Sequence, residues 1–77
     1  MDENYLLTFE INKDQENVEI HANAQGITFL IGCLEKALKT HDHQHLMTTE
    51  WGGDELSTEK QGLANDLINH VKVFYWK

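Results

Sequence analysis

Ala24-Gln25-Gly26-Ile27-Thr28-Phe29-Leu30-Ile31-Gly32-Cys33-Leu34-Glu35-Lys36-Ala37-Leu38-Lys39-Thr40 is the stretch that decides the fold. Ile27, Leu30, Ile31, Leu34 and Leu38 recur at helical spacing, with Ala37 beside them, so the segment reads as an amphipathic helix over residues 24–40. Asn23 stands where an N-cap belongs, because its side-chain oxygen accepts from an orphan N–H of the first turn. Lys36 and Lys39 fall in the last turn, where positive charge complements the helix dipole. Small Gly32 and Cys33 suggest a close approach to a sheet, with Leu34 in the core.

Strands flank this helix. Tyr5, Leu7, Phe9 and Ile11 alternate with polar positions across residues 4–12, and Val18, Ile20 and Ala22 alternate with Glu19 and His21. The polar turn over residues 12–17 is too short for a crossover, so these strands pair antiparallel. Beyond the helix, the polar link His41-Asp42-His43-Gln44-His45 leads into a third strand at Leu46-Met47-Thr48-Thr49, broken by Glu50-Trp51-Gly52-Gly53. The end of the chain supplies a fourth strand, with Val71, Val73 and Tyr75 on one face and His70, Lys72, Phe74 and Trp76 on the other. In residues 63–68 helix and strand periods both fit. The expected architecture is α+β, in the order β-β-α-β-β: one four-stranded, largely antiparallel sheet with one helix on one face. The second face is then open. With 77 residues, residues 1–77 form a single domain with a thin core.

Composition narrows the function. Thirteen acidic residues against six lysines, with no arginine, give a net charge of −7. That field and the missing guanidinium fork argue against nucleic acid as a partner. The same field favours a basic protein partner, although charge also serves solubility. Cys33 is the single cysteine, which excludes an internal disulfide and suits a reducing compartment. The acidic start Met1-Asp2-Glu3-Asn4 is unlike a signal peptide, and no apolar run approaches the ~20 residues of a membrane span. A soluble, cytoplasmic protein without membrane contact is expected.

Three groups of residues are candidates for chemistry. His41, His43 and His45 alternate, so on extended backbone their rings would share a side, and two such imidazoles bind zinc in other settings. Their spacing matches no helical or cysteine-based zinc site, and a polar, solvated helix-to-strand linker is the favoured explanation, so no metal and no cofactor are expected. Ser57 lies outside any nucleophile elbow, and no phosphate loop or dinucleotide fingerprint is present, which makes an enzyme unexpected. The third group is aromatic. Trp51, Phe74 and Trp76 suit interface anchors, although Trp51 also suits a plug over the core edge, and Phe74 and Trp76 also suit packing under the loop of residues 50–62. Asp54, Glu55, His70 and Lys72 are their polar neighbours and complete the set of partner-binding candidates.

The string His45-Leu46-Met47-Thr48-Thr49-Glu50-Trp51-Gly52-Gly53, followed by Glu55-Leu56-Ser57, Gln61-Gly62 and Asn69-His70-Val71-Lys72-Val73, resembles immunity protein family 32 of bacterial polymorphic toxin systems. Val18-Glu19-Ile20-His21-Ala22 and the helix extend the resemblance over nearly the whole chain. Thr49 stands where the family pattern leads one to expect proline. The resemblance implies neutralisation of a cognate toxin by direct protein binding. The alternatives are a small interaction or regulatory module that homodimerises through the open sheet face, and a metal protein built on the histidine cluster.

Overall fold

A computed structural model describes residues 4–77. Its elements run β1 (Leu7–Ile11), β2 (Val18–Ala22), α1 (Ala24–Thr40), β3 (Gln44–Met47), β4 (Asp66–Ile68) and β5 (His70–Val73), with one 3-10 turn at Thr49–Trp51. The helix covers the residues its spacing predicts. Asn23 caps it, with Oδ1 accepting from Gly26 N at 2.9 Å and from Leu6 N at 3.1 Å. Its end is set by His41, which adopts a left-handed backbone and donates its N–H to the Ala37 carbonyl. No described helix is long and apolar enough to cross a membrane.

The fold class is α+β, but the strands form two sheets, not one. A three-stranded antiparallel sheet has the order β2-β1-β4, and a two-stranded antiparallel sheet joins β3 to β5. The closing strand is divided between them at Asn69. Thr48 holds that residue: its N–H donates to the Asn69 carbonyl at 3.0 Å and its hydroxyl to Asn69 Oδ1 at 2.6 Å. Thr48 is fully buried and also accepts at its carbonyl from Trp51 and Gly53 N–H. The bend therefore follows from a long-range side-chain bond that strand periodicity does not contain. It also resolves the ambiguous residues 63–68, of which Asp66–Ile68 are strand.

The helix presents a different face from the one expected. Gly26 and Ala37 are buried, and Leu30 and Cys33 pack against the core of Leu7, Phe9, Leu46 and Leu56. Ile27, Ile31, Leu34 and Leu38 lie one step round the helix and are about half exposed, Leu34 at 48%. The inner row is small because the backbones meet closely: a Cβ at Gly26 would collide with the Leu6 carbonyl oxygen and press on the Ala22 side chain. Gly32, expected at this approach, faces open space. Val18 and Ile20, expected inward, are also largely exposed, since β2 is an edge strand.

The second face of the three-stranded sheet is not open. Thr8 and Glu10 point there and are fully buried beneath the loop that returns to β4. That loop begins at Ser57, which extends the sheet by donating its N–H to the Leu7 carbonyl at 2.8 Å and accepting the Leu7 N–H at its hydroxyl. The loop then closes over the Glu10 carboxylate. Oε2 accepts from the Thr8 hydroxyl and Gln61 N, and Oε1 from Gly62 N and the Asn65 amide, at 2.7–3.0 Å. Burial alone would raise the pKa of this carboxyl, but the four donors outweigh it and hold the group down at about 2.

Candidate protein-binding face

The outward face of the β3–β5 sheet is built by register. Gln44 pairs with Val73, His45 with Lys72, Leu46 with Val71 and Met47 with His70. Leu46 and Val71 thus turn together into the core, and His45, Met47, His70 and Lys72 turn together to the outside. Rings accumulate there. Trp51 tilts against His70 with centroids 5.8 Å apart, His70 stacks on His45 at 5.1 Å, His45 meets His43 edge-on at 4.7 Å, and His43 stacks on Phe74 at 5.7 Å. The two central imidazoles are hydrogen-bonded, His45 Nδ1 to His70 Nε2 at 2.9 Å. The result is a continuous row of five rings across the strands.

Trp51 is 59% exposed on this face, so it is not a plug over the core edge. Its 3-10 turn ends at Gly52, whose φ of 93° places it in the left-handed region that glycine adopts without strain. Phe74 is similarly exposed, and Trp76 beyond it is 84% exposed, so neither packs beneath the loop of residues 50–62. Lys72 is exposed beside His45. Asp54 is exposed as well, whereas Glu55 is structural: its Oε1 accepts the Met47 N–H at 3.0 Å and its carbonyl accepts the Tyr5 hydroxyl at 2.6 Å. Burial, and then Cys33 and the carboxylates of Glu55 and Asp54, push the Tyr5 phenol up to about 12. The sequence candidates are therefore gathered as Trp51, His70, Lys72 and Phe74, with Trp76 following, and Glu55 is set apart from them.

His41 is separated from the other two linker histidines. It lies at the helix end and stacks on Tyr75 at 4.2 Å with the rings nearly parallel. Desolvation by the packed rings, and then His43, His70 and Lys72, lower the pKa of His45. At neutral pH the row accordingly presents an uncharged imidazole at its centre. Among the described residues, the one group of three His, Cys or carboxylate ligand atoms within 4.8 Å of one another is Glu10, Glu19 and His21. Both Glu10 oxygens already accept two donors each, which uses the lone pairs a cation would need. His43, His45 and His70 form no such group.

Nothing at the row resembles a nucleophile with its base. Ser57 is occupied by Leu7, and burial raises the Cys33 thiol, disfavouring the thiolate. A groove of about 360 Å3 does run between the helix, at Phe29, Cys33 and Lys36, and residues 44–46 of β3. Two features escaped the sequence reading. His43 and His45 belong to the aromatic row rather than to a metal trio, which the pairing of β3 with β5 alone reveals. Glu10 sits on the polar side of its strand, where alternation predicts solvent.

The distinctive string of the chain maps onto this construction. Thr48 fixes the bend, Trp51 opens the row, Glu55 ties β3, Leu56 enters the core, Ser57 joins β1, and Gln61 and Gly62 grip Glu10. No curated protein and no solved structure matches the chain. The family described as immunity protein 32 matches residues 17–71, which begins just before β2 and runs into β5. With well over half of its length matched, the chain belongs to the immunity protein 32 family.

Proposed function

We propose that this protein neutralises a cognate toxin by binding it directly, inside the bacterial cell that makes both, with the β3–β5 face as the contact surface. The observation that carries the reading is the row Trp51–His70–His45–His43–Phe74, with Trp76 exposed two residues further along the chain. Rigid aromatic rings supply large contact areas at small entropic cost, and tryptophan is enriched at binding hot spots. The row stands on paired strands, so its geometry is set before a partner arrives. Family membership supports an immunity role, and the net charge of −7 favours encounter with a basic toxin domain. The protein acts by occupying a surface, not by catalysis.

Co-expression with the toxin domain encoded beside its gene tests this. The two chains are expected to co-purify and the toxin to be inactive in the complex. A toxin that stays separate at micromolar concentrations ends the assignment for that pair.

A further inference from the structure

The margin of the molecule remote from the aromatic row carries a second surface. β2 is the outer strand of its sheet, with β1 on one side and, among the described residues, no strand on the other. The bonds Asn23 N to Leu6 O and Asn12 N to Asn17 O show which residues of the strand bond toward β1. By the alternation of antiparallel pairing these are 17, 19, 21 and 23, so the N–H and C=O groups of Val18, Ile20 and Ala22 point out along the free edge. Val18 and Ile20 are 59% and 51% exposed on the helix side of the sheet. Exposed edges are usually blunted by lysine, proline or a bulge. β2 has none of these, and its register with β1 is unbroken.

The helix adds to this margin. Its flank of Phe29, Gly32 and Lys36 faces the groove beside β3. The opposite flank carries the half-exposed Ile27, Ile31, Leu34 and Leu38, on the β2 side.

We propose that a second copy of this chain occupies the edge, β2 against β2, antiparallel about a two-fold axis at Ile20. The charge pattern selects this occupant and this register. Ile20 meets Ile20, Val18 meets Ala22, and Glu19 meets His21 of the other copy, twice by symmetry. Sliding the strands by two residues in either direction sets Glu19 against Glu19 or His21 against His21. Within its own chain Glu19 uses Oε1, which accepts from His21 Nε2 at 2.8 Å and from Asn65 at 3.0 Å. Oε2 of Glu19 and Nδ1 of His21 face each other across the axis, where they bond through the imidazolium form, which carries an N–H on both ring nitrogens. In this register every outward N–H and C=O of the three residues gains a partner. The pairing makes one six-stranded sheet and brings the apolar helix flanks together over Val18 and Ile20. The aromatic rows lie at the far margins, so dimer formation leaves them available.

Sedimentation equilibrium of the full chain, from low micromolar to submillimolar concentration, is paired with amide hydrogen exchange by NMR. The expected result is a mass rising toward twice the 8.9 kDa of the chain, with slow exchange at the Ile20 N–H. Ile20→Lys places two ammonium groups at the axis while changing a side chain that is exposed in the single copy. It is expected to keep its circular dichroism spectrum and sediment at the single mass throughout. A parent chain that stays at the single mass overturns the proposal, including one whose edge becomes protected only with toxin present. So does a dimer whose Ile20 N–H exchanges rapidly, or an Ile20→Lys chain that still dimerises.

Discussion

The two sheets of this protein treat polar and aromatic groups in opposite ways. In the three-stranded sheet a carboxylate, the group least suited to an interior, is fully buried and completely satisfied by four donors. On the outward side of the two-stranded sheet Trp51 and Phe74, among the groups best suited to an interior, flank the strands and are left in solvent. The first arrangement fastens the loop to the sheet and thereby supports the fold. The second leaves apolar area in solvent, on the face proposed above for a partner. Charge in the interior supports the fold, and rings at the surface form the face proposed for recognition.

Substitutions at Glu10 break the comparison most severely. Glu10→Ala strands the Gln61 and Gly62 N–H groups and leaves the Asn65 amide with Glu19 alone, and is expected to cost about 3–5 kcal/mol in urea denaturation, as loss of a buried charged acceptor does. Trp51→Ala should change stability by no more than about 0.5 kcal/mol, as at other exposed sites. Equal losses at the two positions would erase the distinction.

Acid acts on the same carboxylate. The folded-state pKa of Glu10 lies at about 2, below the usual 4.5, so the folded state is favoured above the higher value. That contribution is expected to decline as pH falls from about 4.5 toward about 2, and to be missing from the pH profile of Glu10→Gln. His45 works in the same sense at higher pH: its lowered pKa means that protonation favours the unfolded chain, so part of the stability of the aromatic row fades as pH falls below the ordinary histidine value of about 6.5.

A smaller contrast runs along the helix. Leu46→Ala, in the core beneath the row, should cost about 2–5 kcal/mol. Leu34→Ala, on the exposed flank, should cost less than about 1 kcal/mol in the single copy, because little buried volume is removed.

The helix and β2 were legible in the sequence because their signals are local. Asn23 caps the helix directly after it, and Val18, Ile20 and Ala22 alternate without interruption. The orientation of the helix was not legible. The large aliphatic residues make the obvious stripe, yet the tightest contact requires Gly26 against Leu6 and Ala22, and helical periodicity does not rank a small row above a large one. The split of the sheet depends on Thr48 bonding to Asn69 across 21 residues. The aromatic candidates were legible singly, because tryptophan and phenylalanine stood on the polar side of a strand or beside a glycine break. Their assembly with His43 and His45 was not, because it depends on which strand β5 chooses.

The binding role of the aromatic row is most directly tested by titrating the toxin domain encoded beside this gene with the parent protein and with Trp51→Ala, and following the melting temperature of both. The row as contact surface predicts that Trp51→Ala binds at least about 30-fold more weakly, the effect of losing a hot-spot side chain worth about 2 kcal/mol, at an unchanged melting temperature. Undiminished affinity in a Trp51→Ala protein that melts with the parent would contradict it.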